Sequence, residues 1–64
     1  MIEDDYKLLI KEHKDNFLLS LRLGVLKVDE LGILMEHFQE EENYEACQGV
    51  VNAYVEFKRE LDEY

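Results

Sequence analysis

Apolar residues recur along this chain at helical spacing in three blocks. Tyr6, Leu9, Ile10, His13, Phe17 and Leu21 are 3, 1, 3, 4 and 4 residues apart, one face of a 3.6-residue helix. This predicts a helix over about 4–23. Leu8, Leu18, Leu19 and Leu23 fall outside that stripe and broaden the apolar surface toward more than one neighbour. Asp4 and Asp5 suit the positive end of the helix, and Gly24 is a stop. Asp15-Asn16 offers a break into two shorter helices. A second block, Leu31, Leu34, Met35 and Phe38, predicts a helix over about 29–41 with Asp29 as N-cap. Gly32 weakens its first turn, as though another helix came close there. Glu41-Glu42-Asn43 is a polar break, with Asn43 placed to cap a third helix.

The third block is the most regular. Cys47, Val50, Tyr54, Phe57, Leu61 and Tyr64 alternate 3, 4, 3, 4 and 3, a short heptad seam on a helix over about 44–63. Helices two and three are expected to form a C-terminal hairpin. The fold class is therefore all-α, three helices in a single small domain over 1–64. Helix one has two apolar faces and the seam needs a cover, so the fold is expected to be completed by self-association, as a homodimer or higher.

Size supports that expectation. Chains of 64 residues have thin stability margins and commonly add disulfides, a metal or oligomerisation. One cysteine, Cys47, cannot form an internal disulfide, and one Cys with two distant His lacks zinc-site spacing. No proline and three glycines favour long helices.

Charge changes the picture most. Residues 1–27 balance acids against bases. Residues 28–64 hold eleven of the 16 acidic residues against Lys58 and Arg59 alone, which accounts for the net charge of −9. Such acidity argues against direct contact with nucleic acid, whose phosphates require Lys and Arg. No stretch reaches the roughly 20 apolar residues that span a bilayer, and Met1-Ile2-Glu3-Asp4-Asp5 lacks the basic start of a signal peptide. The chain reads as cytoplasmic, with no membrane association.

Catalytic constellations are not apparent. His37 beside Glu36, Glu40 and Glu41 is the one metal-like cluster, and it lacks the ligand count of a dedicated site. Neither histidine has a carboxylate three residues before it, as a di-iron Glu-x-x-His motif requires. His13 is expected at the edge of the core with one ring nitrogen hydrogen-bonded. Cys47 has no basic sequence neighbour to lower its pKa and is expected to act as a small hydrophobe. No cofactor, no metal and no enzymatic activity are expected.

The remaining candidate site is acidic: Glu36, Glu40, Glu41, Glu42, Glu45, Glu56 and Glu60. Its plainest reading is a solvated face. Its functional reading is a docking surface for a protein with a basic surface. The alternative is a DNA mimic, an inhibitor whose carboxylates stand in for phosphates in a nucleic-acid-binding enzyme. Within residues 31–51, Met35, then Tyr44-Glu45-Ala46-Cys47 and Val50 after a polar run, resemble the UVR helical-hairpin motif of the UvrB and UvrC repair proteins. There, an aromatic-Glu-x-Ala step begins the second helix. The same stretch resembles small bacteriophage and bacterial helical proteins, a likeness that implies an accessory or host-modulating role.

Overall fold

A computed structural model describes the backbone of residues 2–63 and the side chains of residues 5–63. The side chain of Asp4, and Tyr64 at the end of the predicted seam, lie outside these. Three helices make up the fold: α1 (Ile2–Leu23), α2 (Val28–Glu40) and α3 (Tyr44–Asp62). The described residues contain no strand, and α1 runs through Asp15-Asn16 without a break.

The two connections close by the same hydrogen-bond pattern. After α1, the Gly24 N–H donates to the Leu21 carbonyl at 3.2 Å and the Val25 N–H to that of Ser20 at 3.0 Å. Gly24 sits at φ +76°. This is a Schellman stop, with glycine supplying the left-handed conformation. After α2, the Glu42 N–H donates to Gln39 and the Asn43 N–H to Phe38, at 3.1 and 2.8 Å. Here Glu42 takes the left-handed position, at φ 59°. A residue with a Cβ bears a steric cost there that glycine avoids.

Asn43 caps α3 as its side-chain type predicts, accepting from the Ala46 N–H at 3.3 Å. Asp29 does not cap α2. The N-cap is Lys27, extended at φ −97°, ψ 150°, without a side-chain bond. The Glu30 N–H donates to its carbonyl at 2.9 Å, so the helix begins before Asp29 can occupy the cap. Asp29 and Glu30 instead lie in the first turn, where the helix dipole favours negative charge.

Helix α3 is the centre of the molecule. It packs most extensively along α1 and less along α2, and α1 and α2 touch only slightly. The predicted hairpin of α2 and α3 is present, but α1 against α3 is the larger interface. Those two helices run parallel: His13 lies beside Gly49, and Arg22 meets Glu60.

The core consists of Leu18, Leu21, Leu31, Val50 and Ala53, flanked by Phe17, Leu26, Leu34, Met35, Phe38 and Phe57. The α2 stripe is as predicted. On α1 the buried face is rotated. Leu18, expected off the stripe, is buried, while Tyr6 and Leu9 are exposed. On α3 the buried positions are Ala46, Gly49, Val50 and Ala53. Tyr54 and Leu61 of the expected seam are exposed, and Cys47 is half-buried.

The physical reason is the close approach of α1. A Cβ on Gly49 would stand 2.5 Å from His13 Cβ and 3.0 Å from the Lys14 amide nitrogen, so only small side chains fit along this face. Gly32, expected at a close approach, has nothing within 4 Å of an added Cβ.

Candidate functional site

The turn between α2 and α3 gathers acidic residues that the chain alone lays out in a line. Glu36 and Glu40 are one turn apart on the outer face of α2, where with Ile33 and His37 they line a shallow depression. Glu41 is the C-cap of α2, Glu42 holds the left-handed turn position, and half-buried Glu45 lies in the first turn of α3. His37 Nε2 reaches Glu41 Oε1 at 2.9 Å across one helical turn, with both side chains more than half exposed. Solvent screening makes such pairs weak.

Glu56 and Glu60 belong elsewhere. Both are on the side of α3 that faces α1. Glu56 pairs with Lys14 at 3.5 Å. Glu60 accepts from Arg22 Nε at 2.8 and 3.1 Å and from Nη2 at 2.6 Å, a forked arrangement suited to guanidinium and carboxylate. The hydrogen bonds from Arg22 hold the Glu60 carboxyl below its ordinary range, and the same bonds raise the Arg22 guanidinium further. Of the seven candidate carboxylates, the fold thus brings five to the turn and engages two as ties between α1 and α3.

Parallel packing of α1 on α3 also divides the cations, with Lys7 and Lys11, in the part of α1 before His13, toward the turn end. Lys27, Lys58 and Arg59 lie toward the end opposite the turn, as does the Arg22–Glu60 pair. Lys58 and Arg59, with Tyr54, Val55, Asp62 and Glu63, line an open groove of about 520 Å³. Five of these residues belong to α3 and Glu63 is its C-cap, so it is a furrow along one helix, not a cleft between elements. Enclosure between elements is what a small-molecule site ordinarily requires.

The groups with chemical potential are dispersed. His13 is half-buried at the edge of the core, where its ring stacks on Phe17 at 6.2 Å. Phe17 meets Phe38 at 5.9 Å, and His37 lies 5.8 Å from Phe38, so a row of four rings joins α1 to α2. Cys47 Sγ accepts from the Gln39 side-chain amide Nε2 at 3.9 Å. Among the described residues, no three His, Cys, Asp or Glu side chains converge as metal ligands would. Among the same residues no charged side chain is buried and no buried side-chain N or O atom lacks a partner. No helix among them is long and apolar enough to cross a membrane.

Sequence reading missed the small-residue face of Ala46, Gly49 and Ala53. Its signal was present: small residues at spacings of 3 and 4 on one helix face, overshadowed by the larger side chains of the adjacent stripe. Comparison with protein-family models, curated proteins and solved structures finds no match to this chain.

Proposed function

We propose that this is a small, non-catalytic interaction protein. It docks a partner protein with a basic surface through the acidic turn end of its helical bundle, and it acts as a homodimer. The observation that carries the reading is the gathering of Glu36, Glu40, Glu41, Glu42 and Glu45 at one end. Among the described residues, only Glu41 of these five has a side-chain partner, the His37 imidazole. Unpaired carboxylates of one sign raise the local concentration of a cationic surface and speed its association. Self-association has its own support. Leu23, Val25, Ile33 and Leu61 are well exposed, while Val50 is the largest side chain that is fully buried.

The test is capture of partners from the native host by the wild-type protein and by the Glu40→Gln, Glu41→Gln, Glu42→Gln variant in parallel, followed by binding kinetics on a recovered partner. The triple variant should associate more slowly, and wild-type association should slow as salt rises, since exposed charges are screened beyond about 8 Å at physiological ionic strength. Binding indifferent to both would reduce the acidic end to a solubilising surface. Displacement of the partner by duplex DNA would favour carboxylates standing in for phosphates, the inhibitor reading.

A further inference from the structure

We propose that a second copy of this chain docks on the end of the bundle opposite the acidic turn, over Leu19, Leu23, Val25, Val28 and Leu61. The inference rests on the self-association proposed above and names the surface that carries it. Two measures describe a protomer with surface to spare. A folded monomer of 7.7 kDa exposes roughly 4300 Å², and this chain exposes 5001 Å². A compact 64-residue domain has a radius of gyration of about 10.7 Å, against 11.9 Å here. The surplus of about 700 Å² approaches the roughly 800 Å² that each partner contributes to a stable interface of standard size.

The fold places part of that surplus at this end. The Arg22–Glu60 pair fixes the C-terminal ends of α1 and α3 side by side, and the connection to α2 closes the same end. Leu19 and Leu23, one turn apart on α1, are 54% and 68% exposed; Val25 is 77%, Val28 43% and Leu61 58% exposed. Exposed apolar residues grouped in this way mark interfaces.

Charge selects a copy of the same chain as the occupant. This end carries Lys27, Lys58 and Arg59 together with Asp29, Glu30, Asp62 and Glu63. A two-fold axis can therefore set cations of one protomer against acids of the other. The turn end, with five clustered carboxylates, would oppose like charges in a self-contact. Dimerisation through the apolar end leaves both acidic ends free for a partner.

Sedimentation equilibrium at micromolar protein decides the matter, with Leu23→Gln/Val25→Gln as the test variant and Ile33→Gln as the control. Ile33 is 70% exposed but lies in the depression beside Glu36, His37 and Glu40. None of these substitutions changes charge. The wild type and the Ile33 variant should sediment as dimers. The double variant should keep its helical circular dichroism and weaken the dimer by about ten-thousandfold, the loss expected from four buried aliphatic side chains, two on each protomer. Should the double variant lose its helices, Leu61→Gln reads the same surface. A wild type that stays at 7.7 kDa would overturn self-association itself. A dimer that resists the double variant, or yields equally to Ile33→Gln, would leave self-association standing and overturn this surface.

Discussion

Replacing Gly49 and Gly32 separately by alanine should move stability in opposite directions. In a helix interior, alanine is favoured over glycine by about 1 kcal/mol. At Gly32 that gain is realised, because the added methyl meets nothing within 4 Å. At Gly49 the methyl would lie 2.5 Å from His13 Cβ, 3.0 Å from the Lys14 amide nitrogen and 3.2 Å from the His13 carbonyl carbon. Carbon atoms prefer about 3.5–4.0 Å, so α1 must retreat by about 1 Å or more. These neighbours are backbone atoms and the root of a side chain, and no rotamer change relieves the clash. A forced shift of this kind costs about 1–3 kcal/mol, and contact with backbone belongs at the upper end. After the propensity gain, the net loss is about 2 kcal/mol, a large part of the 3–5 kcal/mol available to a core of this size. Thermal unfolding followed by circular dichroism, at one protein concentration for all variants, should show Gly49→Ala melting about 10 °C below wild type. Gly32→Ala should melt several degrees above it. A Gly49→Ala protein as stable as wild type would refute the close approach of α1 and α3 and the packing argument built on it.

Glu42→Gly should raise stability by about 0.5–1 kcal/mol, because relief of the left-handed strain of about 1–2 kcal/mol exceeds the entropy glycine adds to the unfolded chain; urea unfolding reads the gain. Asn43→Ala should lower stability by about 1 kcal/mol through loss of the cap to Ala46, measured in the same titration. The Glu60 carboxyl has its pKa lowered in the folded state by Arg22, so its contribution is present above the ordinary carboxylate pKa and is lost as pH falls through the folded value. Wild type should therefore exceed Glu60→Gln in stability at neutral pH, with the difference closing in acid; a gap independent of pH would show that the pair contributes nothing through its charge. Leu61→Gln, at an exposed position, should leave the stability of the isolated protomer within about 0.5 kcal/mol of wild type, although the heptad spacing marks it as a core residue.

Local chemistry made three helices legible in the sequence. Periodic apolar residues, Gly24 after α1 and Asn43 before α3 act within a few residues of chain. Their effect does not depend on what packs against them, and the helix limits fall close to those expected. The expected α2 stripe is also the observed one, since a short helix packed chiefly on one neighbour buries the face that its apolar residues define. Helix α3 has two neighbours, and there periodicity alone misleads. Its largest side chains trace a seam through Tyr54 and Leu61, but the approach of α1 buries Ala46, Gly49 and Ala53 instead. How closely two backbones come together is a property of the whole assembly, and no single helix encodes it visibly. The same holds for charge. The sequence by itself determined that the acids lie in residues 28–64. Only the tertiary structure divided them, because parallel packing of α1 on α3 brings Lys14 and Arg22 to Glu56 and Glu60 and leaves the remaining carboxylates of the candidate site at the turn.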